Sequence, residues 1–368
     1  MRSTLFASFD ELPSHYDDLL ESAGRENFYF SRPWYRNLIE TTSHTEDQLV
    51  ILGVESNDDT TQPVARALMV LRRRGGTRGF LQPRELHLFE NVYTMIAGPV
   101  LRPGESDTDQ IMESLATKIY TELKDIDLIR FGSMDPASPT FIALQNAFQK
   151  PGFWVRRIHS FINWYEPVKD ISYDQYHSSL SGKMRNLLKR RNRKLEKFGN
   201  VRWELALEPT ELEAAMKDYS LVYTNSWKTP EAYPNFINGF VKACAEVAVL
   251  RFGILYVDDQ PAAAQIWTVT NGQATIYKLA YDEKYKDLSV GSALTARVME
   301  YVLEHDDLKI VDFGYGDDPY KKDWTRHRRD RMGLLIFNLR TARGVWAAGK
   351  YSLKYLALSV RHKFTDKA

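Results

Sequence analysis

Cysteine is nearly absent: Cys244 stands alone in 368 residues. One thiol excludes an intramolecular disulfide and a cysteine-cluster metal site, and it fits a reducing compartment. No apolar run approaches the roughly 18–20 residues that span a bilayer. The start, "MRSTLFASFDELPSHYDDLL", meets acidic residues too early for a secretion signal. The eight histidines form no His-x-x-x-His pair, so no zinc site is expected. Net charge is only +1, which leaves no global field toward DNA or another polyanion. These absences predict a cytoplasmic protein without a metal or a transmembrane segment.

What is present suits two domains, because the chain is too long for one ordinary domain and its 43% apolar residues can fill more than one core. Basic charge is concentrated in the second half. Residues 183–197, "KMRNLLKRRNRKLEK", hold eight Lys or Arg against one Glu, and residues 321–331, "KKDWTRHRRDR", hold six against two Asp.

Periodicity predicts mixed helices and strands throughout. "SRPWYRNLIETT" reads as a helix capped by Ser31, with Trp34, Leu38 and Ile39 on its apolar face. Strands are expected at "QLVILGVES", "VARALMVLRR" and "RELHLFENVYTMIAG", the first two joined by a polar turn from Asn57. "RRRGGTRG" reads as a charged hairpin turn, and the helix "DTDQIMESLATKIYTEL", the strand "DLIRFGSM", the helix "SPTFIALQNAFQKPG" and the strand "FWVRRIHSFINWYEP" follow. The second half repeats this order loosely. "SYDQYHSSLSGKMRNLLKRRNRKLEKFG" reads as a helix, and later strands meet at Asp258-Asp259 and Asn271-Gly272 hairpins. A boundary near residue 168 separates the halves, and a terminal helix is expected at 343–363, apolar with flanking cations that suit packing or weak peripheral membrane contact.

Three stretches carry chemistry. In "LAYDEKYKDLSVGSAL" a strand ends at Tyr281-Asp282 and a helix opens after Ser289. Either Ser289 caps a plain helix, or the bare amides of Gly291, Ser292 and Ala293 hold an anion such as a pyrophosphate. In the basic helix Met184, Leu187, Leu188, Leu195 and Phe198 share one face, leaving the cations on the other. That face is either simply solvated or meets a phosphorylated partner such as coenzyme A, tRNA or a lipid-phosphate acceptor. In "VDFGYGDDPYKKDW" a strand delivers Asp312 to a glycine-rich turn followed by Tyr320 and Lys321, an arrangement suited to proton transfer and phosphate contact. Asp-Phe-Gly here lacks the other kinase signatures, and no Ser or Cys nucleophile set is present.

Taken in order, "RNLLKRRNRKLEKFG", "NSWK", "PAAAQIWTV", "YKLAYDEKYKDLSVGSALTARVMEYV" and "IVDFGYGDDPYKKDW" resemble the GNAT-superfamily acyltransferases grouped with the cellulose-biosynthesis protein CelD and the FemAB-like enzymes. The resemblance implies an α/β (α+β) fold of two tandem GNAT-like domains, each a mixed central sheet flanked by helices. Residues 1–167 would form a degenerate domain with an acceptor-side or structural role, and residues 168–368 the acyltransferase domain. It maps a pyrophosphate loop onto Ser289, Val290, Gly291, Ser292 and Ala293, with Val290 where the CelD-like group usually has Pro. The expected chemistry is transfer of an acyl group, acetyl foremost, from acyl-CoA to an amine of a sugar, cell-envelope or exopolysaccharide precursor. Asp282 or Asp312 would be the base and Tyr320 the acid, with Lys321 on donor phosphate. Trp227, Lys228, Lys278, Tyr281, Arg185, Arg190 and Arg191 would contact substrate. Two alternatives stand beside this: a FemAB-like aminoacyltransferase using aminoacyl-tRNA, and a non-catalytic scaffold of polysaccharide assembly.

Overall fold

The computed structural model describes residues 1–56, 63–75, 79 and 81–365. The polar turn from Asn57 to Gln62 and residues 76–78 of the Arg-Gly segment lie outside the described residues. In chain order the elements are β1 (Arg2–Phe6), α1 (His15–Glu26), α2 (Arg32–Thr42), β2 (Gln48–Glu55), β3 (Ala65–Arg73), β4 (Glu85–Leu88) and β5 (Val100–Leu101). Then come α3 (Thr108–Glu122), β6 (Leu128–Met134), α4 (Pro139–Ala147), β7 (Phe153–Pro167), α5 (Tyr173–Ser179), α6 (Gly182–Phe198), β8 (Val201–Ala206), α7 (Leu212–Thr224) and α8 (Phe236–Glu246). The remainder is β9 (Leu250–Val257), β10 (Gln260–Thr270), β11 (Gln273–Tyr281), α9 (Val290–His305), β12 (Ile310–Tyr315), α10 (Lys321–Trp324), β13 (His327–Asn338) and α11 (Ala342–Thr365).

These elements form two compact units that are discontinuous in sequence. The first comprises Met1–Ala23, Ser43–Ser160 and Asp330–Ala368; the second comprises Gly24–Thr42 and Phe161–Arg329. A single cut near 168 therefore misses two exchanges: α2 belongs with the second half of the chain, and the segment after Arg329 with the first. Packing explains the first exchange. Trp34 of α2 lies edge-on to Phe236 and Phe240 of α8, with ring centroids 5.9 and 6.0 Å away.

In the first unit β1, β2, β3 and β4 pair antiparallel in turn, β4 pairs parallel with β6, and β6 pairs antiparallel with Met332–Phe337 of β13. The second unit repeats the plan. Here β8, β9, β10 and β11 pair antiparallel, β11 pairs parallel with β12, and β12 pairs antiparallel with Asn163–Pro167 of β7. Leu52, Met69, Leu115, Phe131 and Phe141 fill the core of the first unit, and Leu255, Trp267, Leu294, Val298 and Phe313 that of the second.

Local sequence accounts for most boundaries. The Asp258-Asp259 and Asn271-Gly272 turns have left-handed φ values of 49°, 59°, 45° and 75°, as two-residue hairpins require. Ser31 caps α2 by accepting from the Trp34 amide at 3.2 Å. The single helix expected over 172–199 is two, because Ser181 Oγ accepts the Met184 amide at 3.1 Å and starts α6 afresh. The long strand expected from Arg84 stops at Leu88, since Asn91 accepts the Tyr93 amide through its side chain at 2.9 Å and turns the chain. Strand β13 begins earlier than expected and absorbs the basic "HRRDR".

Candidate active site

Every residue expected to carry chemistry lies in the second unit, and most of them lie around the C-terminal ends of β11 and β12. Their parallel pairing is confined to Gln273–Thr275 against Ile310–Asp312. Beyond it β11 stays with β10 as far as Tyr281, while β12 joins β7 through Tyr315 and Asn163. The two strands part, and Gly314, at φ 70°, makes the irregularity on the β12 side. Helix α9 starts beside this opening. Ser289 is left-handed at φ 55°, ψ 41°, and its hydroxyl makes no cap bond. Ala293 donates its amide to the Ser289 carbonyl at 3.0 Å, so it is not one of the bare amides expected there. Helix geometry leaves the amides of Val290, Gly291 and Ser292 without an intrahelical acceptor. Val290 and Ala293 are buried among core residues, and Gly291 and Ser292 reach the surface.

Gly291 fits closely against its neighbour: a β-carbon there would lie 3.1 Å from the Tyr281 ring, tight but within reach of a small ring shift. The Tyr281 ring in turn lies against Trp227, with centroids 4.3 Å apart. Below Gly291, Gln265 of β10 donates to the Gly291 carbonyl at 2.9 Å and to Thr295 Oγ1 at 2.8 Å, and accepts from Trp267 Nε1 at 2.9 Å. This fully buried amide fixes the first turn of α9.

Next to Trp227, Lys228 lines a cleft of about 1160 Å³ between α7 and α8, together with Tyr219, Tyr223, Glu231, Ile237 and Lys242. Burial, reinforced by the Lys278 ammonium, lowers Lys228 to about 8; Glu231 and Asp318 pull it upward and Lys321 downward. Lys278 is itself bound to both Glu231 oxygens at 2.8 and 3.0 Å.

Asp282, Asp312 and Lys321 are engaged structurally. Asp282 accepts from the Lys284 amide at 2.8 Å and from Asn225 Nδ2 at 3.1 Å, tying the "NSWK" loop to the turn before α9. Asp312 is buried and accepts from Asn163 at 2.7 Å, the Gly314 amide at 2.8 Å and Arg329 at 2.9 Å. Lys321 departs from its expected contact with phosphate: it is only 2% exposed. Its Nζ donates to the carbonyls of Tyr315 at 2.6 Å and Gly316 at 3.1 Å and pairs with Asp318 at 3.2 Å. Three donors on three neighbours leave nothing for a ligand. Burial lowers its pKa, with Asp318 opposing. Burial and the adjacent Asp318 carboxylate hold the Tyr320 proton well above the ordinary range, although the residue is 37% exposed.

The structure thus gathers Gly291, Tyr281, Trp227, Lys228 and Lys278 into one contiguous run facing the turn that carries Tyr320. Arg191 reaches the same region by donating to the Asp287 carbonyl, as Lys194 does at 3.3 Å. Arg185 binds the Ser178 carbonyl at 3.1 Å and Arg190 is exposed, so neither joins that run. In the basic stretch 321–331 Lys321, Arg329 and Arg331 each pair with an aspartate, whereas Lys322, Arg326 and Arg328 are exposed. Gln265, Asn163 and Arg329 escaped the sequence reading. A lone Gln inside "PAAAQIWTV" and a lone Asn inside "FINWYEP" were their signals, since a polar side chain in an apolar strand needs a buried partner. Among the described residues no three His, Cys, Asp or Glu converge as a metal would need, and no helix is long and apolar enough to cross a membrane.

Residues 182–322 match the acetyltransferase (GNAT) domain family. The matched segment lies within the second unit and spans the β11–β12 opening and α9, so that part of the chain is a GNAT acyltransferase domain. No curated protein matches the sequence. Among solved structures the fold is similar to FemX, with TM-score 0.60 and 10% identity over 92% of this chain and 98% of that one. A conserved protein of unknown function from Bacteroides thetaiotaomicron gives TM-score 0.54 and 10% identity over 90% of this chain and 100% of that one. The C-terminal domain of a putative lysylphosphatidylglycerol synthetase from Agrobacterium fabrum gives 0.51 and 12% over 90% and 96%.

Proposed function

We propose that this chain transfers an acyl group, acetyl foremost, from acyl-CoA to an amine of a sugar or other cell-envelope or exopolysaccharide precursor in the cytoplasm. One observation carries the reading: the parting of β11 from β12 opens beside the bare amides of α9, and Tyr281 and Trp227 connect that opening to the α7–α8 cleft. A helix N-terminus suits the donor pyrophosphate, with Gly291 allowing close approach. An extended pantetheine arm fits the gap between two strands. The cleft exceeds what a small amine needs and accommodates a sugar-sized acceptor.

Direct attack by the acceptor amine forms the C–N bond, and collapse of the adduct breaks the C–S bond. The protein's part is alignment, stabilisation of the oxyanion by β11 amides, and proton transfer. The departing thiolate takes its proton from water, because Tyr320, the acid expected from the sequence, holds its own proton too firmly to give it up. Asp312 orients the site, being buried against Arg329 and Asn163, and Asp282 ties the Asn225 loop to the turn before α9. The first unit takes an acceptor-side or structural role.

Calorimetry with acetyl-CoA and longer acyl-CoAs tests the donor. The exposed cations of α6 favour a second reading, an aminoacyl-tRNA donor. Gel shifts with bulk tRNA and loss of activity on adding ribonuclease would select it. Binding of neither thioester nor tRNA would select a scaffold.

A further inference from the structure

We infer that Lys228 is the proton acceptor of this site, taking from the attacking amine the proton that it sheds as the C–N bond forms. The inference rests on the acyl-transfer reading above. Lys228 lines the α7–α8 cleft and follows Trp227, whose ring touches the Tyr281 ring that packs on Gly291. It therefore lies where the acceptor cleft adjoins the donor loop. Its Nζ is 5.7 Å from the centroid of the Trp227 ring.

The alternatives around it are spent. Asp312 is paired with Arg329, Asp282 caps a turn, Lys278 is held by Glu231, and Lys321 donates to Tyr315, Gly316 and Asp318. The groups facing Lys228 are Tyr223 of α7, Glu231 of the following loop, Lys278 and Tyr281 of β11, and Asp318 and Lys321 of the turn after β12. Burial and the two neighbouring ammonium groups outweigh the two carboxylates and bring it down to about 8. A lysine in that range is neutral often enough near physiological pH to accept a proton.

The step balances. Neutral Lys228 takes one proton from the acceptor nitrogen, that nitrogen bonds the thioester carbon, and the C–S bond breaks. The thiolate takes a proton from water, and Lys228 returns to its neutral state by giving the proton it accepted back to solvent. The products are an amide and coenzyme A.

Competitive trace acetylation of the full chain with acetic anhydride, read by mass spectrometry from pH 6 to 11, reports the titration of Lys228 directly. A midpoint near 8 supports the inference, and labelling like an ordinary lysine near 10.4 overturns it. Lys228→Arg keeps the cation but does not lose its proton. Thiol release from acetyl-CoA with amino-sugar acceptors should fall about 10²–10⁴-fold in that variant and lose its rise through pH 8. Wild-type rates and profile in K228R overturn the base role. Acetyl-CoA calorimetry separates the two levels: binding with an ordinary lysine removes the base alone, whereas no binding removes the acyl-CoA reading and the base with it.

Discussion

Asp312 and Arg329 meet at 2.9 Å, and Asn163 closes a triangle by donating to Asp312 at 2.7 Å and accepting from Arg329 at 2.7 Å. The carboxylate is buried, and its charge is balanced within the protein. Asp312→Ala should therefore destabilise by about 3–5 kcal/mol, because a cation and an amide lose their partner together. Asp312→Asn keeps the shape and part of the hydrogen bonding and should cost less. Urea denaturation of both variants checks this. Full stability with lost turnover in Asp312→Asn would instead make Asp312 the base.

Gly291→Arg should abolish acetyl-CoA binding while the protein stays folded. The residue is in the first turn of α9 at the surface, so the backbone accepts a side chain, but its β-carbon presses on Tyr281 at 3.1 Å and the guanidinium covers the bare amides. A rise in Kd of at least about a hundredfold, equivalent to ~2.7 kcal/mol, is expected by calorimetry, with unchanged circular dichroism. Unaltered affinity would remove the donor from this loop.

How far such sites are legible depends on whether their causes are local. The Asp258-Asp259 and Asn271-Gly272 hairpins and the start of α9 after Ser289 follow from residues adjacent in sequence, and the sequence reading reaches them. The fate of Lys321 does not, because nothing in "DDPYKKDW" says which of two adjacent lysines turns inward to the carbonyls of Tyr315 and Gly316. Arg329 looked like one more cation in a basic run, and only the pairing of β12 with β7 brings Asn163 and Asp312 to it. The place of α2 is decided likewise by aromatic contacts made some 200 residues away in sequence, Trp34 against Phe236 and Phe240.

In the first unit Glu90 supplies a pH test. Burial lifts its carboxyl to about 7, against the Ser133 and Gly132 hydrogen bonds and the Arg72 charge, which lower it. Its folded pKa is above the unfolded value of about 4.3. The folded state thus binds more protons between these limits, and the stability contributed by Glu90 is complete below about 4.3 and lost as pH rises through 7. The span is on the order of 3 kcal/mol. Glu90→Gln, which resembles the protonated form, should be more stable than wild type at pH 8 and close to it at pH 4. Parallel stability curves for the two proteins would refute this.

Two faces of α6 should respond differently to charge. Met184, Leu188 and Leu195 are buried, and Arg191 and Lys194 bend toward the Asp287 carbonyl, next to the donor loop. Lys189, Arg193 and Lys197 follow at intervals of four on the opposite, exposed face. A donor seated on α9 feels the first group and not the second. Arg191→Gln should accordingly weaken acetyl-CoA binding roughly tenfold, on the scale of one charge-assisted contact, about 1.5 kcal/mol. The triple variant Lys189→Glu, Arg193→Glu, Lys197→Glu should leave that affinity within about threefold, since screening weakens charges beyond roughly 8 Å. An RNA would read the exposed face instead, and removing three cations from its path would flatten the salt dependence of binding by about two units of slope. Loss of turnover in the triple variant, together with sensitivity to ribonuclease, would therefore move the donor from acyl-CoA to aminoacyl-tRNA.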